Sequence, residues 1–437
     1  MDSLIEHLTT RNLAITGGIA FLVYYVVSFI YFAFIHPLSK VPGPRTWGGS
    51  RLPFLWSLVR GNLPHDLISL HRKYGQVLRI GPDEVTFSHP DAFNQICGPT
   101  GAQQFLKHPT WWRPFPGIPL SMIWSVDGDQ HAYIRKCFSP GFTMRSLREQ
   151  EPIVDRYVDL LVSRIRETIA PVGESGGEVD FLRWFNYMSF DVFGDLAFGE
   201  SFECLERGDY HQWIANIFRH IKAMAGLASI RFYPTIEKVL VYVVPKSFRK
   251  AQQDHFQLVV DKVRRRIERD GFTRPDIMSG VMIQGHHEAS GKDGKGLPLD
   301  IVNGTFSELT IAGSESTGSV LTATINTLIH NPGILATLVG EIRGTFRSEA
   351  EINFDTLRDL KYLNAVINES LRMSPPIRWL PPRQCPPGGN MVCGYWLPGG
   401  VRFLPRVAFH VRWDPNRVTD RHFHHLPADP TRSHIFS

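Results

Sequence analysis

Residues 301–329 read IVNGTFSELTIAGSESTGSVLTATINTLI, a mostly apolar segment without proline. Its length and the lack of a helix breaker predict one long helix. Midway, the run AGSEST at 312–317 places a glycine beside hydroxyl side chains, which is locally costly and can open the backbone hydrogen-bond ladder. The acid Glu315 and the alcohols Ser316 and Thr317 could pass protons to a small ligand at that opening. The alternative is a packing notch of small residues.

The next motif is Glu369-Ser370-Leu371-Arg372. A glutamate and an arginine at i and i+3 of one helix can form an ion pair, which needs further partners if it is buried. Arg383 follows a run of prolines, and strand signals then appear at Met391–Trp396 and Val401–Leu404, on either side of a Pro-Gly-Gly turn. This pattern predicts a small hairpin.

Towards the N-terminus, His131 and Arg135 form an H-x-x-x-R motif. Side chains at i and i+4 project from one helical face, so the two could hold anionic carboxylates; the alternative is a simple surface pair. Amphipathic helical patterns dominate the remaining sequence, with short strands predicted at Val77–Ile80 and Val85–Phe87. The predicted fold class is therefore mainly α with small β-sheets.

Leu13 to Ile35 contains no charged residue. At about 1.5 Å per residue the run reaches roughly 34 Å, enough for one transmembrane helix, the alternative being a buried core helix. Basic residues dominate after the run and acidic residues before it, which predicts a cytoplasmic body. The expected organisation is an N-terminal segment over 1–36, a proline-rich hinge over 37–46 and a folded domain over 47–437.

Composition excludes several classes of protein. The 437 residues are 43% hydrophobic and 20% charged, which is incompatible with wholesale disorder. The net charge of +5 is too small and too dispersed for a nucleic-acid-binding protein, and the densest basic run, at 264–266, lies among acids in a helical pattern that predicts a solvated face. The five cysteines form no C-x-x-C pair, which argues against a zinc ribbon, a thioredoxin-type site and a disulfide framework.

The chain resembles a membrane-bound cytochrome P450, a haem-thiolate monooxygenase, when its features are taken in order: an apolar N-terminal span, a Pro-Gly-Pro hinge, H-x-x-x-R, A-G-x-E-S-T, E-x-x-R and P-P-x-R. The resemblance covers Met1 to about Pro415 and looks closest to fungal members that serve secondary metabolism. It implies haem as the cofactor, hydroxylation of a lipophilic small molecule, NADPH–cytochrome reductase as the electron donor, and membrane lipid at the endoplasmic reticulum as the surroundings.

The same resemblance assigns roles to the motif residues. Glu315 and Ser316, with Thr317 beside them, match the acid–alcohol pair that relays protons on the distal side of the haem. The residues that match the propionate-binding positions are His131, Arg135 and Arg383. The residues that match the pair bracing the core behind the haem are Glu369 and Arg372. The segment Thr100–Trp124 corresponds to the loop over the substrate, and Phe232–Val244 to the membrane-side access region.

One element of the family pattern is absent. The axial cysteine that binds the haem iron lies in an F-x-x-G-x-R-x-C-x-G loop, and this chain contains no such loop. Cys385 and Cys393 match ordinary positions, so no metal ligand is assigned. Beyond Pro415 the resemblance fades into a terminal tract that includes His422, His424 and His425. We therefore expect a C-terminally truncated P450 fold, and a catalytically inactive member is the alternative function.

Two interpretations come from other classes of protein. Gly313–Gly318 is one insertion away from the G-x-S-x-G nucleophile elbow, which would make Ser316 the nucleophile of a serine hydrolase; that motif needs a strand before the serine. A membrane-tethered binding protein would instead hold a lipophilic ligand in an apolar pocket without haem. The aromatic segments at 100–124 and 232–244 are either core or the walls of a pocket.

Overall fold

A computed structural model describes residues 2–98, 105–114, 118–170, 178–211, 214, 230–233, 237, 246–270, 274–282, 296–377 and 382–405. The α-helices are α1 Asp2–Ile30, α2 Arg45–Gly49, α3 Leu52–Val59, α4 Leu63–Tyr74, α5 Pro90–Cys97, α6 Gly128–Phe138, α7 Met144–Ile169, α8 Phe181–Phe198, α9 Cys204–Arg207, α10 Lys246–Asp270, α11 Leu299–Ile329, α12 Pro332–Thr345, α13 Phe354–Arg358 and α14 Lys361–Met373. The strands are β1 Val77–Gly81, β2 Glu84–Phe87, β3 Leu106–Lys107, β4 Arg383–Gln384, β5 Asn390–Val392, β6 Tyr395–Leu397 and β7 Arg402–Pro405. The predicted class, mainly α with small sheets, is confirmed.

Helix α1 continues into a π-helix, Tyr31–Ile35. Together they provide the span Ile15–Ile35, which is 21 residues long and, within the described part of the chain, the one stretch long and apolar enough to cross a membrane. Its large apolar side chains, such as Phe21 and Tyr24, are exposed. A buried core helix would have these faces covered, so that alternative is wrong and the span is compatible with a single membrane anchor.

Two arginines bond the end of this span to the body. Arg45 Nη1 donates to Ala33 O at 2.7 Å, and Arg79 Nη1 donates to Phe32 O at 2.7 Å. The intervening hinge starts with a 3₁₀ helix, Pro37–Lys40. Because Arg79 lies on β1, its bond reaches across the hinge and holds the last turn of the span against the first strand of the body.

The main core forms where α8 packs against α11. Phe306 on α11 is fully buried, and its ring lies 5.8 Å from that of Phe198 and 5.3 Å from that of Phe138. Helix α8 ends at Gly199, whose φ of +68° is the left-handed conformation that glycine adopts without strain. Helix α8 is buried along most of its length, and α11 is buried mainly in its first half, over Val302–Ser307, so the two helices together form the centre of the core.

The larger sheet has the strand order β1-β2-β7-β4-β3. Strands β1 and β2 are antiparallel about a tight turn, as predicted, whereas β2 and β7 are parallel, with Glu84 opposite Arg402. The buried Glu84 carboxylate forms an ion pair with Arg51, whose Nη1 lies 2.5 Å from Oε2, and Arg402 also pairs with Asp83. Arg51 and Arg402, which come from distant segments, thus hold the β1–β2 turn and the start of β2 in place.

The predicted strand Met391–Trp396 is wrong as a single element. The chain reverses at Cys393 and Gly394, whose φ angles are +49° and +82°, and β5 pairs with β6 on either side of this two-residue turn. Positive φ at both central positions matches the right-handed twist of a hairpin. The prolyl-diglycine turn at 398–400 then leads into β7, which joins the larger sheet instead of pairing with β6.

The basic run at 264–266 is only partly solvated. Arg264 and Arg265 keep 64% and 44% of their side chains exposed, as predicted, whereas Arg266 is 1% exposed. Arg266 Nε donates to the buried Asp276 at 2.8 Å, and Arg266 Nη2 donates to Ser279 at 2.8 Å. The third arginine of the run therefore belongs to the interior, because a buried acid neutralises it.

Candidate functional site

The turn of α11 that carries Glu315, Ser316 and Thr317, here called the acid–hydroxyl turn, is helical throughout. Ser316 Oγ donates to Ala312 O at 2.5 Å, and Thr317 Oγ1 donates to Gly313 O at 2.9 Å. These are the side-chain-to-carbonyl bonds that the sequence predicts, but they form without interrupting the helix. Glu315 is half-buried, and burial raises the pKa of its carboxyl group. The turn therefore presents one acid of raised pKa beside two anchored hydroxyl groups.

The alternative prediction, a packing notch of small residues, describes the opposite face of the same turn. Ser314 and Gly318 are buried against α8. A Cβ at Gly318 would lie 2.1 Å from Asn186 Oδ1, and one at Gly313 would lie 3.0 Å from the Phe193 ring. Small residues are thus required on the α8 side, whereas Glu315 and its neighbouring hydroxyls are outside that contact.

The serine-hydrolase interpretation of Ser316 is wrong. Its hydroxyl lies in the interior of α11, where helix both precedes and follows the residue. A nucleophile elbow needs a strand that ends immediately before the serine, so that the side chain stands at a sharp turn. The Ser316 hydroxyl instead bonds a carbonyl of its own helix.

The predicted carboxylate-binding residues gather into one cationic cluster with a fourth member, Lys107. The Asp127 side chain caps α6 by accepting from Gln130 N, which fixes the turn that carries His131. Lys107 stands opposite Arg383 in the β3–β4 register. Burial, and then Lys107, Arg135 and Arg383, lower the pKa of His131 to about 4. The imidazole is therefore neutral at pH 7 within a group of positive charges.

The cluster has the charge of a site for a ligand with two carboxylates. Lys107 Nζ donates to Met122 O and Ile123 O, and Arg383 Nη1 donates to Phe105 O at 3.0 Å. In the part of the chain that the structure describes, none of the four forms an ion pair with a carboxylate. Glu308 acts on Lys107, but the four members themselves carry only positive charge or none, and an anionic ligand would relieve the repulsion among them.

Sequence reasoning missed Lys107. The residue lies in a two-residue strand, too short to be predicted from periodicity, and only the pairing of β3 with β4 places it opposite Arg383. A lone lysine before an aromatic segment carries no signal of its own.

Comparisons with known proteins show the family of this chain. The family model described as Cytochrome P450 matches residues 47–408. The chain belongs to the cytochrome P450 family. It is similar to the cytochrome P450 monooxygenase lcsI of Purpureocillium lilacinum, 35% identical over 92% of this chain and 77% of the relative. It is also similar to cpaH of Aspergillus oryzae (35%, 92% and 75%) and to the averantin hydroxylase of Dothistroma septosporum (35%, 89% and 71%).

Membership in the P450 family implies a haem cofactor, a reductase as redox partner and a lipophilic substrate. The cationic cluster fits the haem propionates, because it offers several positive groups to a ligand with two carboxylates. The haem end that carries these carboxylates therefore has matching donors in this P450.

The thiolate end has no matching donor among the described residues. Burial raises the pKa of Cys385 to about 11 and that of Cys204 to about 12, and it also raises the pKa values of Cys97 and Cys393. Cys385 is 2% exposed, and its Sγ lies 3.4 Å from Leu397 O. The iron ligand of the family is a thiolate, and burial favours the protonated form of each of these four thiols in the metal-free protein.

The E-x-x-R pair of this P450 is bidentate. Arg372 Nε and Nη2 donate to the two carboxylate oxygens of Glu369 at 2.7 and 2.5 Å. Both side chains are half-exposed, at 36% and 27%, so the pair forms but is not enclosed by the described residues.

Three sequence predictions fall wholly or partly outside the described residues. The C-terminal tract with His422, His424 and His425 is outside them, as is most of the segment at 232–244. Of the loop at 100–124, residues 105–114 and 118–124 are described. Within the described ranges, no three His, Cys, Asp or Glu side chains are grouped to hold a metal ion.

Proposed function

We propose that this P450 is a haem-dependent monooxygenase that hydroxylates a lipophilic small molecule in fungal secondary metabolism. The observation that carries the proposal is the cationic cluster, whose members come from three separate elements and whose positive charges help to lower the pKa of His131. The relatives support the reaction class, since they are fungal monooxygenases and one is a hydroxylase by name.

In this proposal the cationic cluster binds the two propionate carboxylates of the haem. The proposed propionate ligands are His131, Lys107, Arg135 and Arg383. When bound, haem activates molecular oxygen, so that one oxygen atom enters a C–H bond of the substrate and the other leaves as water, with two electrons from NADPH delivered through the reductase. Neutral His131 donates a hydrogen bond, whereas the lysine and the arginines supply charge.

The acid–hydroxyl turn of α11 supplies protons. Glu315 has a raised pKa and can therefore give up a proton closer to neutral pH than an exposed glutamate. Ser316 and Thr317 each donate to a helix carbonyl, which leaves their oxygen lone pairs free to accept a proton from a neighbour or a water molecule. In our proposal Glu315 replenishes the proton that Ser316 passes to the ligand side.

The substrate side is mostly apolar. A cavity of about 520 Å³ lies at the start of α11. The residues that line it are Ile118, Pro119, Phe256, Leu299, Asp300 and Asn303. An apolar wall with two polar groups suits a lipophilic molecule that carries few hydrogen-bonding groups.

The anchor and the pair on α14 complete the proposal. The exposed span Ile15–Ile35 contacts membrane lipid and holds the body on the cytoplasmic face of the endoplasmic reticulum, where an NADPH–cytochrome reductase reaches it. Glu369 and Arg372 brace the fold behind the cofactor. The folded domain corresponds to 47–437, behind a hinge at 37–46.

A second candidate is a member of the family without monooxygenase activity. The raised pKa values of Cys97, Cys204, Cys385 and Cys393 favour it, because none of these thiols is prepared to bind iron as a thiolate. Such a protein would bind lipophilic molecules, or haem by its carboxylates, without activating oxygen.

One experiment separates the two candidates. The 437-residue chain is expressed with a haem supply, reduced under carbon monoxide, and its Soret spectrum is recorded. A thiolate-type band supports the monooxygenase, whereas a histidine-type band, or no haem, supports the inactive member. Arg383→Ala should lower the haem content several-fold if the cationic cluster holds the propionates, and Arg145→Ala, in an exposed surface pair, is the matched control.

A further inference from the structure

Glu308 on α11 contacts a segment, residues 118–125, that lies across the helix. Ser121 Oγ donates to Glu308 Oε2 at 2.6 Å, and Ser121 is fully buried. One turn earlier, Met122 N donates to Thr305 Oγ1 at 3.2 Å. The segment therefore crosses α11 about two turns before Glu315.

The backbone of α11 approaches this segment closely. A Cβ at Gly304 would lie 2.8 Å from Leu120 O. Glycine at this position lets the segment lie directly on the helix, so that a short side chain such as that of Ser121 reaches the Glu308 carboxylate. The contact is built by shape as well as by hydrogen bonds.

The segment is held from a second side by Lys107. The Lys107 ammonium group donates to Met122 O at 2.9 Å and to Ile123 O at 2.8 Å. Within the segment, Trp124 N donates to Ser121 Oγ at 3.3 Å, and Ser125 N donates to Ser121 O at 2.9 Å. Ser121 is thus the point at which the internal turn of the segment and the bond to α11 meet.

We propose that Glu308 is a positioning residue that fastens the segment 118–125 onto α11 and so fixes one wall of the cavity at the start of α11, which Ile118 and Pro119 line. The proposal deepens the proposed function and rests on it, because the segment matters for specificity only if that pocket holds the substrate. Glu308 acts on the segment through the hydrogen bond that it accepts from Ser121.

The electrostatic setting fits a fastening role. Burial raises the pKa of Glu308 to about 7, against the opposing effects of Ser121 and Lys107. The positive charge of Lys107 favours the ionised form of Glu308, and the positive charge of Arg383 lowers the pKa of Lys107. A partly enclosed carboxyl group of this kind accepts a strong hydrogen bond from Ser121 in either protonation state.

Hydrogen exchange on the full-length chain in detergent tests the proposal, and it needs no haem. The reporters are the amides of Met122 and Trp124, which bond Thr305 and Ser121. Glu308→Ala should raise their exchange rates about ten-fold or more, because the segment loses its fastening and opens locally. Glu308→Gln keeps an acceptor oxygen and should restore rates to within about three-fold of wild type.

The matched control is Glu149→Gln, which removes the charge of an exposed glutamate on α7 and should leave both amides unchanged. Unchanged exchange in Glu308→Ala overturns the proposal, and so does an equal rise throughout α8 and α11, which would indicate global destabilisation. Exchange in Glu308→Gln as fast as in Glu308→Ala also overturns it. The haem spectrum is measured separately, so failure of the proposed function is recognised independently.

Discussion

The carboxyl group of Glu308 makes the stability of the protein depend on pH, and Glu308→Gln should remove that dependence. The pKa rises from an ordinary 4.5 to about 7 because the group is largely buried. Each pKa unit corresponds to about 1.4 kcal/mol, so the unfolded chain gains about 3 kcal/mol relative to the folded one once the carboxyl is ionised in both. Of this, about 2 kcal/mol accumulates between pH 5 and 7.5.

The sign follows from proton uptake. Between pH 4.5 and about 7 the folded protein keeps the Glu308 proton while the unfolded chain has lost it, so the unfolded state binds fewer protons. The free energy of unfolding therefore falls as pH rises through this window, and it is unaffected by this group below it. Glutamine does not titrate, so the stability of Glu308→Gln minus that of wild type should increase with pH.

Urea unfolding of the full-length chain, followed by tryptophan fluorescence at pH 5, 6, 7 and 7.5, measures this difference. A constant offset between the two proteins reflects changed packing, and only the slope with pH reports the carboxyl group. Glu149→Gln, with an exposed glutamate, should show no slope. A Glu308→Gln difference that stays flat within about 0.5 kcal/mol, or that decreases with pH, would refute the reasoning.

Three further predictions concern packing, thiol chemistry and the anchor. Gly318→Ala should lower the free energy of unfolding by about 1–3 kcal/mol, because its Cβ would lie 2.1 Å from an atom of α8, whereas Gly340→Ala, with nothing within 4 Å, should raise it by about 0.5–1 kcal/mol in the same urea assay. At pH 8, iodoacetamide should modify Cys385 about 100-fold more slowly than free cysteine by mass spectrometry, because a pKa of about 11 leaves little thiolate; equal rates would contradict this. Arg79→Gln removes a bond to the anchor, so trypsin should cleave within residues 37–46 faster than in wild type, and an unchanged rate would contradict the fixed anchor.

The helices could be predicted because each has a local signal. Helix α8 begins and ends at the predicted Phe181 and Phe198, since a run of large apolar residues is closed by a glycine with positive φ. Strands β1 and β2 also had a local signal, because the turn residues at 81–83 separate two short apolar runs. The hairpin at 390–397 was not, because the turn residue Cys393 adopts a conformation for which its side chain gives no cue.

The cationic cluster could be predicted only in part. His131 and Arg135 lie on one turn of α6, so their spacing alone brings them together. The family resemblance predicted Arg383 as a third member. Lys107 could not be predicted, because only the pairing of two short strands that are far apart in sequence brings it to the cluster. The acid–hydroxyl turn was visible as a motif, but its division into a packing face and the face that carries Glu315 depends on α8.

The sequence by itself determined the apolar N-terminal span, the long central helix and the motifs on it, because each is a property of neighbouring residues. Only the tertiary structure decided the contacts that join distant segments. Glu308 meets Ser121 across 187 positions of the chain, and β2 pairs in parallel with β7. The pKa of Glu308 depends on its burial and on the charged and hydrogen-bonding groups around it, and both arise only when separate elements pack together.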